Sequence, residues 1–278
     1  MPALARLLLA LPRCTQLERL EKKVQGRTVL ITGASYGIGE AAALLLAQAG
    51  AEVLLVARTA EKLREISDRV ERAGGRAQAY PTDLYPTDQV AALAKTLLDN
   101  HPRIDIVISN AGKSIRRRVI KSLERDDLGR LVRLNLISSS LLLTALLPRM
   151  LEQGGGHIVN VSSVSARLPI APNWAAYQAS KAGFDAWLRS VANEVRPNNI
   201  RVSSVYLPLV RTRMIEPSRF YQNMPALSPL EAAQVIAYAL VTGVERVAPW
   251  WLWWGELASL LAPKLVNHLL CSWENRHG

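Results

Sequence analysis

Tyr177 and Lys181 stand four residues apart in the stretch "SSVSARLPIAPNWAAYQASK", which opens on Ser162 and Ser163. On a helix that spacing puts both side chains on one face. Chemistry follows from the residue types. When hydride adds to a carbonyl, the oxygen gains negative charge and needs a proton, and the Tyr177 phenol is the candidate donor. A phenol has an ordinary pKa near 10, so bringing it to neutrality takes about 3 units, or roughly 4 kcal/mol of preference for phenolate. The Lys181 ammonium and a positive nicotinamide ring are the expected sources. Ser163 is placed to hydrogen-bond and polarise the carbonyl oxygen. Asn135, a poor helix former inside a helical stretch, is the candidate to hold a water linked to Lys181 for proton resupply.

Such residues act together only if a scaffold converges them. Apolar runs of strand length alternate with helical patterns along the chain: "TVLIT" (28–32), "EVLLVA" (52–57), "RAQAY" (76–80), "IDIVIS" (104–109), "HIVNVS" (157–162) and "IRVSSVY" (200–206). Helices are expected over 38–48, 61–73, 89–100, 123–151 and 176–195. Strands apolar on both faces suit a buried parallel sheet. The alternation predicts an α/β fold, a single-domain Rossmann-type doubly wound parallel sheet with ligands beyond the carboxyl ends of its strands. The expected organisation is an amphipathic segment over 1–26, a catalytic domain over 27–247 and a hydrophobic, Trp-rich extension over 248–278.

The first strand runs into "TGASYGIGE", where Gly33, Gly37 and Gly39 bracket Ser35, Tyr36 and Ile38. Bare amides at a helix N-terminus attract a pyrophosphate, so this turn is a candidate dinucleotide cradle. The end of the second strand carries Arg58, where an acidic residue would hold a free ribose 2′-hydroxyl. A guanidinium suits a 2′-phosphate instead, and the expected cofactor is NADP(H) rather than NAD(H).

Composition sets outer limits. The 278 residues are 49% hydrophobic and 21% charged, which allows a full core and excludes a disordered chain. The net charge of +11 is spread along the chain, with one tight cluster at Arg116–Arg118; it reads either as a solvated face or as attraction to anionic cofactors or lipid headgroups. Nucleic acid is not an expected partner. Cys14 and Cys271 are far apart and lack metal-ligand spacing, which fits a reducing compartment without disulfides. In the first 26 residues the apolar run from Leu7 to Leu11 is too short to span a bilayer. That segment reads as a basic amphipathic helix on a membrane or as a helix capping the domain. Near the other end, Trp250, Trp251, Trp253 and Trp254 crowd together, and Glu256, Pro263, Lys264 and His268 argue against a full span. Monotopic membrane contact, a lipid-facing substrate wall and subunit packing all remain open for it.

From about Gly26 to Val247 the chain resembles the short-chain dehydrogenases/reductases. The residues that carry the likeness are "TGASYGIG", Asp83 after the third strand, "NAG" at 110–112, Asn135, Ser163 and "YQASK" at 177–181. The resemblance implies a catalytic tetrad of Asn135, Ser163, Tyr177 and Lys181. It also implies cofactor contacts from Asp83 and Leu84, from Asn110, Ala111 and Gly112, and from Tyr177 and Lys181 themselves. After the sixth strand most relatives carry Pro-Gly, whereas this chain has Leu207 and Pro208; Val210 and Thr212 still match and are expected at the cofactor. The variant "YLPLVRTRM" with "PALSPLEAAQVI" resembles a lipid-handling branch that includes bacterial fatty acyl-CoA reductases. The expectation is a cytoplasmic, peripherally membrane-associated homo-oligomer that reduces a lipophilic small molecule with NADPH. A dehydrogenase of hydroxylated lipids, such as sterols or retinoids, and a non-catalytic NADP-binding interaction protein are the alternatives.

Overall fold

The computed structural model describes residues 7–169, 172–215, 221 and 224–277. Its elements, in chain order, are α1 (Leu17–Val24), β1 (Thr28–Thr32), α2 (Gly37–Gln48), β2 (Glu52–Ala57), α3 (Ala60–Arg72), β3 (Arg76–Pro81), α4 (Thr87–Asn100), β4 (Ile106–Ser109), α5 (Val119–Leu123), α6 (Asp127–Val132), α7 (Ser139–Glu152), β5 (Gly156–Ser163), α8 (Ala175–Val195), β6 (Ile200–Leu207), α9 (Pro229–Thr242), β7 (Arg246–Val247), α10 (Trp251–Leu261) and α11 (Pro263–His277).

The seven strands form one parallel sheet in the order β3-β2-β1-β4-β5-β6-β7. Alternation along the strands feeds two cores. Val29, Ile31, Val53 and Leu55 pack beneath α1, α2, α3 and α9, while Leu30, Leu54, Val56 and Ile158 pack beneath α4, α7 and α8. The strand order reverses between β1 and β4, which opens the ligand crevice beyond their carboxyl ends. The single doubly wound domain expected from the strand pattern is therefore the fold observed.

Three features correct the sequence reading. The helix expected over 123–151 is broken: α5 ends at Leu123, α6 starts at Asp127, and residues Arg133–Ser138 form a π-helical turn before α7. Asp126 causes the first break, with φ of 47° and its carboxylate accepting from Gly129 N as an N-cap. The seventh strand is only two residues long, too short for an apolar pattern to announce it. Helix α9 lies outside the helices expected from the sequence, although Ser228 and Glu231 form a full capping box around Pro229. Asp127–Glu152 is long and apolar enough to cross a bilayer by length and composition. It lies against the sheet instead, with Leu142, Leu143, Leu146 and Met150 in the core.

The N-terminal segment packs as a cap from Leu9 onward. Leu9, Leu11, Cys14, Leu20 and Val24 join the core, and Cys14 N donates to Gln234 O at 2.9 Å. Arg13 pairs with Glu231 at 2.5 Å. At the other end, Trp250 and Trp251 donate their indole N–H groups to the carbonyls of Leu7 and Leu8, at 3.0 and 2.8 Å. Trp253 and Trp254 are 68% and 66% exposed.

Candidate active site

Strand β5 delivers Ser163 to the carboxyl edge of the sheet, and the start of α8 delivers Tyr177 and Lys181 one helical turn apart. The half-buried Tyr177 hydroxyl hydrogen-bonds both Ser163 and Ser165. Ser165 is itself held there, its N–H and Oγ both on Ser163 Oγ at 3.2 and 2.9 Å. Below them the buried Lys181 donates from Nζ to Val161 O at 3.2 Å. Asn135 sits in the π turn, where the extra residue per turn brings its side chain inward. Its Oδ1 accepts from Lys113 N at 2.8 Å; its Nδ2 donates to Lys113 O and to Ser180 Oγ, both at 2.9 Å. Ser180 Oγ then donates to Tyr177 O at 2.8 Å.

The Asn135 amide is thus engaged with protein partners, and it serves as a brace between the β4 loop and the catalytic helix. The side chain points at the Lys113 backbone. Asn135 still lies beside the lysine: a Cβ on Gly112 would stand 3.1 Å from Asn135 Oδ1 and 3.4 Å from Lys181 Nζ.

Electrostatics divide the two catalytic candidates. Burial pushes the Lys181 ammonium down to about 8, with the Asp185 carboxylate one turn on opposing the shift. Burial pushes the Tyr177 phenol above its ordinary value, and the hydrogen bonds from Ser163 and Ser165 only partly counter this. Protein groups alone therefore do not make the phenol acidic; the expected contribution of a positive nicotinamide ring comes on top of them. The protein groups keep the phenol protonated at neutral pH, the form a proton donor needs.

The glycine turn closes against β4. Gly33 has φ of 67°, and a Cβ there would meet Ala111 Cα and Asn110 Nδ2 at 2.9 Å; one on Gly39 would meet Gly33 O at 2.2 Å. Asn110 braces this turn, its Nδ2 on Thr32 O and Gly33 O at 2.9 and 3.1 Å. Tyr36 precedes α2 without a side-chain cap, so the first-turn N–H groups are open to an anion. That is the donor set a dinucleotide pyrophosphate requires. Ser35 and Ile38 flank the turn, and the Tyr36 ring lies under Lys62 and Arg213, at 5.9 and 4.8 Å.

The remaining expected contacts follow the carboxyl ends of β2, β3 and β6. Arg58 follows β2 directly, is exposed, and has no carboxylate partner among the described residues. Asp83 Oδ1 accepts from Tyr85 N at 3.0 Å just past β3, while the Leu84 side chain is buried in the core. Val210 is buried in a bridge to Leu227, and a Cβ at Gly37 would meet Thr212 Cγ2 at 2.8 Å, so Thr212 abuts the glycine turn. At the Leu207 departure β6 continues in register with Ser163, and the Leu207 side chain packs in the core.

These features decide the family. The short chain dehydrogenase model matches residues 27–222. The chain belongs to the short-chain dehydrogenase family. It is 42% identical over 260 residues to a fatty acyl-CoA reductase of Acinetobacter baylyi, covering 92% of this chain and 87% of that one. A fatty acyl-CoA reductase of Mycobacterium tuberculosis is 37% identical over 246 residues, covering 88% and 84%. Among solved structures, a metagenomic short-chain oxidoreductase in complex with NADP is 34% identical with a TM-score of 0.68, over 79% of this chain and 92% of that one. As an oxidoreductase of this family, the chain takes a nicotinamide dinucleotide and a small-molecule substrate.

Sequence reasoning missed three contributors at the site. Ser165 and Ser180 lie inside the quoted motifs, but nothing in their spacing separates them from ordinary helix and strand serines. Lys113 follows "NAG" without a signal of its own. Outside the crevice, Glu256 on α10 accepts from Arg167 Nε at 2.6 Å and Arg246 at 2.9 Å. Gly255 packs on Leu168, so α10 closes on the segment that follows Ser165. Two cavities, of about 380 and 580 Å³, share Arg27, Arg103 and Asp105 and lie at the opposite edge of the sheet, where strands begin.

Proposed function

We propose that this short-chain dehydrogenase is an NADPH-dependent reductase of a lipophilic carbonyl compound, with a long-chain fatty acyl-CoA or the derived aldehyde as substrate. One observation carries the chemistry: a protonated Tyr177 hydroxyl held on Ser163 with the Lys181 ammonium one turn below. NADPH, when bound, supplies hydride to the carbonyl carbon. Ser163 donates a hydrogen bond to the carbonyl oxygen and polarises it. Tyr177 gives that oxygen its proton, and Lys181 stabilises the phenolate left behind. With a thioester, the protonated adduct is a hemithioacetal, whose hydroxyl gives up its proton as the C–S bond breaks; the departing thiolate takes up that one proton, and aldehyde and free thiol result. No cysteine is needed, since Cys14 is buried in the N-terminal cap and Cys271 lies on α11.

Arg58 supports NADPH over NADH, as an unopposed guanidinium at the ribose. The relatives of closely similar length that are named fatty acyl-CoA reductases support the acyl substrate. A panel of acyl thioesters, fatty aldehydes, ketones and hydroxysteroids, followed by NADPH absorbance and thiol release, tests the assignment. Turnover of hydroxysteroids alone would overturn it.

The same reading places the enzyme in the cytoplasm on a membrane surface. Trp253, Trp254, Leu257, Leu260 and Leu261 are exposed along one side of α10. This helix has 11 residues, about 17 Å, too short to cross a bilayer but suited to lie in its interface. Ile137, Leu141 and Leu151 are exposed along a flank of the α7 region and support a homo-oligomer. Liposome flotation and sedimentation velocity test the two contacts separately.

A further inference from the structure

The cluster at Arg116–Arg118 belongs to a longer basic lip. Between Lys113 and Arg133 the chain carries eight Lys or Arg against three Asp or Glu. The lip is anchored to the active site at two points. Lys113 is clamped through its backbone on Asn135, and Arg117 N donates to Asn173 O at 2.8 Å, two residues ahead of α8. Trp174 follows, with its ring against both Tyr177 and Tyr221, at 5.9 and 6.1 Å. The basic segment therefore runs along the mouth of the cleft, beside an aromatic wall.

Its carboxylates do not neutralise it. Asp127 is 1% exposed and is shared between Arg117 at 2.5 Å and Arg130 at 3.7 Å. Asp126 faces Gly129 N as a helix cap. Burial first, and then the nearby charges of Arg130, Arg58 and Arg117, hold the Lys113 ammonium below the usual lysine value, with the Asp127 carboxylate opposing them. Lys121 and Arg125 are exposed, as are Val119, Ile120 and Leu123 on the same short helix; Ile120 is 82% exposed. A lip that is both cationic and apolar fits a ligand with the same division.

We propose that the Lys113–Arg133 lip binds the phosphates of a coenzyme A thioester, its 3′-phosphate and diphosphate, while the acyl chain enters past Trp174 toward Tyr177. This rests on the thioester-reductase reading and names what that site recognises: the polyanionic thiol carrier as well as the acyl group. Guanidinium groups pair phosphate oxygens two at a time. The cluster is distinct from the glycine turn, which faces the pyrophosphate of the dinucleotide.

The test uses the full chain saturated with NADP+, titrated calorimetrically with coenzyme A and with pantetheine, which has the same thiol arm without the phosphates. Coenzyme A is expected to bind at least tenfold more tightly, with an advantage that shrinks as salt rises. The double variant Arg118→Glu, Lys121→Glu is expected to abolish that advantage. The single variant Arg118→Lys is expected to retain most of it. Equal binding of coenzyme A and pantetheine to the parent chain would overturn the proposal. So would a double variant that loses flotation on phosphatidylglycerol vesicles but keeps the coenzyme A advantage, which would make the lip a lipid-headgroup surface. Binding with no thioester turnover would leave the lip assigned and sink the reductase reading instead.

Discussion

Lys113 and Asn135 hold each other by two reciprocal hydrogen bonds, from Lys113 N to Asn135 Oδ1 at 2.8 Å and from Asn135 Nδ2 to Lys113 O at 2.9 Å. The pairing locks the loop after β4 onto the π turn, and through Ser180 it reaches the catalytic helix. Asn135→Ala would orphan both Lys113 backbone groups, at about 1–3 kcal/mol for each left unpaired. Urea unfolding should show that loss of stability, and the surviving folded fraction should reduce carbonyls far more slowly.

Tyr177→Phe removes the proton donor and keeps the ring against Trp174. Turnover should fall by about 10²–10⁴, the range for general acid catalysis. NADPH affinity, measured by fluorescence titration, should stay within threefold. Undiminished turnover would remove the phenol from the mechanism.

Lys181, held down to about 8 by burial, sets the alkaline limit. As pH rises through that value the ammonium is lost, so kcat/KM for reduction should decline above about pH 8. Stability moves the other way. A base with a depressed pKa destabilises the fold while charged, so this cost is fully present below about 8 and is relieved as pH climbs toward the ordinary lysine value. Lys181→Met should be inactive yet melt at a higher temperature than the parent near neutrality.

Arg58→Asp exchanges the phosphate partner for a group that suits a free ribose hydroxyl. Loss of a charge-assisted pair worth about 1.5–3 kcal/mol should weaken NADPH binding by roughly 10- to 100-fold. NADH binding should hold or improve, as read from parallel titrations.

His157 is buried on β5 with its ring 2.8 Å from Ser203 Oγ, and burial pushes its pKa down to about 4. The unfolded chain binds this proton near the ordinary value of 6.5, so stability is lost as pH falls below that value toward 4. Between pH 7 and 5 the loss attributable to this group is about 2 kcal/mol. His157→Gln should flatten that part of the urea midpoint against pH.

The inner strands were legible because a sheet buried on both faces needs runs rich in Val, Leu and Ile; β3, at the sheet edge, carries none of the three and was legible only from its place in the alternation. Tyr177, Lys181, Ser163 and Asn135 were legible as a set, since their order along the chain constrains their place at the sheet edge. The break at Asp126 was hidden, because a left-handed aspartate between charged neighbours looks like ordinary helix surface. The Asn135 brace was hidden for another reason: its partner is the backbone of Lys113, and backbone partners leave no residue signature. The state of the Tyr177 phenol depends on burial, which spacing does not report.

The indoles of Trp250 and Trp251 rest on carbonyls 243 positions upstream, at Leu7 and Leu8. During translation Leu7 and Leu8 leave the ribosome 243 residues ahead of the tryptophans that clasp them. Closure of this clasp therefore waits for α10, and removing either partner should unfasten the other.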